Sequence, residues 1–147
     1  MVVHGLLSHL YEGAIQSLPN SRTALVVDDD ELLGKVVAQI LHADGFEVRT
    51  ADNGLNGFAS YLRQPTEWVV TDIQMPELDG IEMMRRICAV NPAVKTIYMS
   101  GAVERYRSIL DCEMADVNTF VLSKPFTRNM LIGRISPDEA ESSQAEL

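Results

Sequence analysis

WVVTDIQMPELDG, residues Trp68 to Gly80, begins as a run of aromatic and β-branched residues, arrives at a carboxylate, Asp72, turns through Met75-Pro76, and closes on the pair Asp79-Gly80. An apolar opening bounded by Pro and Gly reads as a buried strand, Trp68 to Thr71, and Gly80 opens a segment of helical period that runs to Asn91. The stretch is therefore one strand, a tight turn and the start of a helix. Met75-Pro76 shapes that turn. Asp72 stands where the strand ends, exposed to whatever lies beyond it.

The same alternation repeats on both sides. Strand candidates are Ala24–Val27, Glu47–Ala51, Thr96–Met99 and Thr119–Leu122, each bounded by Gly, Pro, Asp or Asn. Helix candidates are Glu31–Asp44, Gly54–Gln64, roughly Glu104–Met114, and Thr127–Ile135. In the first of these Leu32, Val36, Ile40 and Leu41 fall on one stripe that ends before Gly45, as an amphipathic helix with a C-terminal glycine should. Parallel strands need crossover helices, and right-handed crossovers place those helices on both sheet faces. Five βα repeats thus predict an α/β domain, a doubly wound five-stranded parallel sheet with five helices.

Composition narrows the function. In 147 residues the formal net charge is −9. Nucleic acid and anionic membranes both ask for a basic surface, so neither is an expected partner. Cys88 and Cys112 lie far apart without metal-ligand spacing, and read as two small core residues in a reducing cytosol. No stretch is apolar for long enough to span a bilayer, and the start of the chain lacks the basic opening of a signal peptide. The expected location is cytoplasmic.

Sheets of this kind bind ligands beyond the carboxyl ends of their strands. Asp28, Asp29 and Asp30 follow the first strand, Asp72 ends the third, Ser100-Gly101 ends the fourth and Lys124-Pro125 the fifth. Singly, an Asp after a strand is a turn or cap former, and Ser-Gly or Lys-Pro says nothing. Together they bring carboxylates, a hydroxyl and an ammonium to one rim. Converging carboxylates repel each other unless a cation sits among them, and oxygen donors without His or Cys suit a hard ion such as Mg²⁺. A carboxylate nucleophile, a metal and a lysine fit phosphoryl transfer through an aspartyl phosphate, with Asp72 as the nucleophile.

VVDDDE, TDIQMPELDG, IYMSGA and LSKPF, in this order and spacing, resemble the receiver domain of two-component response regulators over about residues 22–135. The resemblance implies a flavodoxin-like sheet of strand order 2-1-3-4-5. It implies Asp72 as phosphoacceptor, Asp29 as direct Mg²⁺ ligand and Asp28 acting largely through water, with the Gln74 backbone carbonyl also on the metal. Ser100 is implied as the switch hydroxyl with Gly101 leaving room beside it, and Lys124 as the partner of acceptor and phosphoryl oxygens, in a cis bond to Pro125. Asp30 falls outside the acidic pair and reads as a helix cap. The implied role is signalling rather than enzymatic: a histidine kinase or histidine phosphotransfer protein donates, a downstream protein target reads the altered surface, and water slowly removes the group.

Where the family often carries Tyr or Phe three residues before its lysine, this chain has Val121, and by strand alternation Phe120 should face the other way, into the packing beneath a helix. A Mg²⁺-dependent phosphohydrolase with an aspartyl-phosphate intermediate is the alternative class, disfavoured because Gln74 stands where such an enzyme typically has a second acid. A receiver fragment of a hybrid kinase is a further alternative. Residues 1–21 read as a helical extension, with Val3, Leu7, Leu10, Ala14 and Leu18 at helical spacing and Pro19-Asn20 as a stop. An added helix packed on the domain is the favoured reading there; a surface for a partner or for a homodimer is the sharper one. HLYEG, His9 to Gly13, has Glu12 where a histidine phosphotransfer motif has lysine, and is discounted. Residues 136–147 read as an acidic, polar tail.

Overall fold

The computed structural model describes residues 22–113 and 118–136. The helical extension and nearly all of the acidic tail lie outside the described residues. Five strands form one parallel sheet: β1 Arg22–Val27, β2 Phe46–Ala51, β3 Trp68–Asp72, β4 Lys95–Ser100 and β5 Thr119–Ser123, in the order β2-β1-β3-β4-β5. Every expected strand is present, each one or two residues longer than its apolar run. Five α-helices alternate with the strands: α1 Glu31–Ala43, α2 Gly54–Arg63, α3 Gly80–Val90, α4 Arg107–Glu113 and α5 Arg128–Ile135. No helix among the described residues is long and apolar enough to cross a membrane.

The sheet separates two cores. Ala24, Val26, Trp68, Val70, Ile97 and Met99 pack against α1 and α5. Leu25, Val27, Val69 and Tyr98 pack with α2, α3 and α4 on the opposite face. Because both faces are covered, β1 reads as a continuous apolar run with no alternation visible in the sequence.

Three expectations are corrected. In α1 the sheet-facing residues are Gly34, Val37 and Leu41, while Leu32 and Val36 are 74% and 43% exposed. Gly34 faces the end of β1, where a Cβ would stand 3.6 Å from the Asp28 Cβ, an ordinary contact, and the buried line through Gly34, Val37 and Leu41 leaves Leu32 and Val36 on the outward side. The fourth helix starts as a 3₁₀ turn, Val103–Tyr106, before α4 begins at Arg107. Cys88 is half-buried against the core but Cys112 is exposed on α4, so only one of the two cysteines contributes to packing.

Two local devices matter later. The guanidinium of Arg22 donates to Ser136 Oγ, to the Asp44 backbone carbonyl at 2.6 Å and to Asp44 Oδ2 at 3.0 Å, and lies 4.2 Å over the Phe46 ring. One side chain thereby joins the start of β1, the C-cap of α1 and the end of α5. In the β3–α3 turn, Asp79 caps α3 by accepting from Glu82 N–H at 2.8 Å, and Gly80 N–H donates to Ile73 O at 2.8 Å. A Cβ on Gly80 would lie 2.0 Å from the Asp72 carbonyl oxygen. The Asp-Gly pair closing the opening stretch is therefore what seats α3 directly against the residue that ends β3.

Candidate functional site

Each rim residue reaches the site because its strand stops there. Asp28 follows β1 and is 1% exposed; its Oδ1 accepts from Asp30 N–H at 2.9 Å, and Asp30 in turn caps α1 by accepting from Leu33 N–H at 3.2 Å. Asp29 is exposed beside it. Asp72 ends β3 with its Oδ1 accepting from Ile73 N–H at 2.9 Å. Lys124 Nζ lies 3.3 Å from Asp28 Oδ2 and 3.4 Å from Asp72 Oδ1, bridging the two. The Lys124-Pro125 bond is cis, in agreement with expectation.

Carboxylate oxygens of Asp28, Asp29 and Asp72 all lie within 4.8 Å of one another. Three carboxylates share one ammonium, so the set is short of positive charge. Burial pushes the Asp72 carboxyl up to about 6, the Asp28 carboxylate adds to the rise, and Lys124 opposes it. A carboxyl whose ionised form is disfavoured by burial and by a neighbouring carboxylate, among oxygen-only donors, fits a hard divalent cation such as Mg²⁺. Asp29, Asp72, Gln74, Ser100 and Lys124 line an open cleft of about 580 Å³, while Asp28 is buried and is not part of that lining.

Ser100 is 4% exposed and its Oγ accepts from Ala102 N–H at 2.9 Å. The Ser100 carbonyl accepts from Lys124 N–H at 2.8 Å, so the ends of β4 and β5 are bonded to each other through the two residues that bear the hydroxyl and the ammonium. A Cβ at Gly101 would meet nothing within 4 Å, which leaves the cleft open on that side.

Val121 is not in the cleft. It packs toward the α2, α3 and α4 face, whereas Phe120 packs on the α1 and α5 face with its ring 6.0 Å from Trp68, as alternation along β5 requires. In register with Val121 stands Tyr98, 1% exposed, on the same face and two residues before Ser100. Tyr98 and the Ala102 N–H were missed by reading the sequence. Period-two alternation back from Ser100 would have placed Tyr98, but its pairing with Val121 depends on register.

A family model for the response regulator receiver domain matches residues 24–136. The chain is 32% identical over 112 residues to the response regulator receiver protein CpdR of Brucella abortus, covering 76% of this chain and 91% of that protein. It is 30% identical to the chemotaxis protein CheY of Bacillus subtilis, over 76% of this chain and 92% of that one. Among solved structures, a response regulator receiver domain protein from Clostridium thermocellum superposes with a TM-score of 0.69 at 24% identity, covering 84% of this chain and 98% of that one.

Proposed function

The chain belongs to the response regulator receiver domain family, and on that footing we propose that it is a phosphoacceptor, taking a phosphoryl group on Asp72 and signalling through the surface change that follows. The observation that carries this reading is the convergence of Asp28, Asp29, Asp72 and Lys124, from the ends of three separate strands, with Asp29, Asp72 and Lys124 opening onto one cleft.

Asp72 Oδ1 is engaged by Ile73 N–H and faces Lys124, which leaves Oδ2 as the attacking oxygen. As the O–P bond forms, the bond from phosphorus to the donor's histidine nitrogen breaks, and the freed imidazole takes a proton from water. Asp29, Asp28, Asp72 and the Gln74 backbone carbonyl would hold Mg²⁺, which when bound offsets the charge of the carboxylates and of the phosphoryl oxygens. Lys124 Nζ donates to a phosphoryl oxygen, and the Ser100 hydroxyl, whose oxygen already accepts from Ala102, has its proton free to do the same. Moving Ser100 carries Lys124 with it through their backbone bond, so the β4 and β5 ends shift together. Tyr98 and Val121, two residues before Ser100 and three before Lys124, sit on the side where that shift would be felt. A histidine kinase or phosphotransfer protein is the donor this chemistry asks for, met in the cytoplasm, with a downstream protein as reader.

Incubation with acetyl phosphate and Mg²⁺ should add one phosphoryl group, read by intact mass and by phosphate-affinity electrophoresis. Uptake by Asp72→Asn at the wild-type rate would overturn the assignment.

A further inference from the structure

Seven large apolar side chains are exposed among the described residues, and three of them, Leu55, Leu62 and Val90, lie on α2 and at the C-terminal end of α3. Leu55 and Leu62 are two turns apart on one face of α2, with partly buried Phe58 and small Ala59 between them. The side of α3 that faces α2 carries the rest: a Cβ on Gly57 of α2 would stand 2.8 Å from Met83 Sδ, and Arg86 and Val90 follow Met83 by three and seven residues on that side. The C-terminal ends of the two helices are joined, Asn91 Nδ2 donating to Tyr61 Oη at 2.8 Å. Leu62 follows Tyr61 and Val90 precedes Asn91, so both apolar side chains stand at that junction. An apolar strip therefore runs along the α2–α3 seam.

The charge around that strip runs against the charge of the chain. Net charge overall is −9, yet α2 has no acid and Arg63 as its only charged side chain, while α3 has Glu82 against Arg85 and Arg86. The single carboxylate is shared, 3.7 Å from Arg85 and 3.8 Å from Arg86, so the two helices keep a positive surplus at their exposed side. A second copy laid face to face on this seam would set arginines against arginines, a repulsive pairing. A nucleic acid would meet leucine and valine where its phosphates need cations. An apolar strip with a cationic border suits an amphipathic helix whose own apolar stripe is flanked by carboxylates.

We propose that the α2–α3 seam is a docking surface for an acidic amphipathic helix of a partner protein, its apolar stripe on Leu55, Leu62 and Val90 and its carboxylates on Arg63 and Arg86. The surface is separate from the cleft. Gly80, the first residue of α3, abuts Asp72, and Val90 ends the same helix ~15 Å further along its axis. A partner held at Leu62 and Val90 thus leaves the acceptor edge open to a phosphoryl donor, and the proposal stands independently of the assignment of Asp72.

Methyl NMR of the whole chain, titrated with a stapled helical peptide of about four turns that carries leucines at i, i+4 and i+7 and glutamates beside them, tests it. The methyl resonances of Leu55, Leu62 and Val90 should shift and saturate, while those of Leu32 and Val36 on α1 stay in place. The same peptide with lysines for glutamates should bind about tenfold or more weakly at low salt, and the gap should narrow at high salt. Leu55→Asp with Leu62→Asp should weaken the glutamate peptide at least about fivefold. Should that variant lose its fold, Arg63→Glu with Arg86→Glu decides, because it should reverse the preference and favour the lysine peptide. No saturable shift at the three side chains, equal binding of both peptides, or a preference unchanged by the charge reversal would each overturn the proposal. So would shifts of the same methyls on raising the protein concentration alone, which would assign the seam to a second copy.

Discussion

Replacing the candidate acceptor by its neutral isostere, Asp72→Asn, should stabilise the protein in the absence of divalent metal. Burial raises the Asp72 carboxyl from 3.8 to about 6, so the folded state holds a proton that the unfolded chain has already released across that interval. The sign follows: stability falls as pH rises from about 4 to about 6, and above that the ionised carboxylate is a standing cost. Two pKa units at 1.36 kcal/mol each give roughly 3 kcal/mol. The carboxyl is 14% exposed and keeps its contact with Lys124, so solvent and that ammonium reduce the expected gain to about 1–2 kcal/mol. Lys124 is not orphaned by the change, since Asp28 remains 3.3 Å away. Urea denaturation in EDTA, followed by the fluorescence of buried Trp68, should show Asp72→Asn more stable than wild type at pH 8 and nearly equal at pH 4. Saturating Mg²⁺ should reverse the order at pH 8 by stabilising the wild type through mass action. An Asn variant that is less stable than wild type at pH 8 without metal, or a difference independent of pH, would refute the account of this site as short of positive charge.

Asp29→Ala should weaken Mg²⁺ binding more than Asp28→Ala, because Asp29 lines the cleft whereas Asp28 is buried and bonded to Asp30 and Lys124. Calorimetry is the suitable titration, since Trp68 lies at the far end of β3, ~13 Å of strand from Asp72; equal dissociation constants for wild type and Asp29→Ala would remove Asp29 from the ligand set. Gly80→Ala should cost about 2 kcal/mol or more, its Cβ falling 2.0 Å from the Asp72 carbonyl oxygen, and a loss below about 0.5 kcal/mol in urea would contradict that contact. With the aromatic ring absent at Val121, the beryllofluoride-bound wild type should show a mixed population by NMR and Val121→Tyr a more complete conversion. Full conversion of the wild type, unchanged by the tyrosine, would show that Tyr98 and the β4–β5 bond suffice.

The strands and the rim were legible because both are local. A parallel strand buried on two faces is an apolar run, and the residue that ends it is delivered to the carboxyl edge of the sheet, so Asp28, Asp72, Ser100 and Lys124 could be placed without any knowledge of contacts. The outward face of α1 was not, because glycine counts as a gap in an apolar pattern. At Gly34 the gap is itself buried beside Asp28, on the line of Val37 and Leu41, and Leu32 and Val36 are turned to solvent. The role of Ser60 is hidden for a related reason. It is 8% exposed on α2, and its hydroxyl and carbonyl both accept from Arg49 on β2, a pairing between elements that no local pattern predicts. The pairing of Tyr98 with Val121 is hidden in the same way, in the register of β4 on β5.

The contacts of Arg22 decide how force reaches the domain. Its guanidinium holds the first residue of β1 to Ser136, just past the end of α5, so the points where the backbone enters and leaves are clasped side by side at the pole opposite the cleft. Tension applied through the flanking segments would meet this side-chain clasp before it met any rung of the sheet, and the strand ends that carry Asp72, Ser100 and Lys124 would stay unstrained until the clasp opened. Tied in this way, the domain would hang as a bead on a single stalk, joined to any flanking polypeptide at one point, with the edge that carries Asp72 left facing away from the attachment.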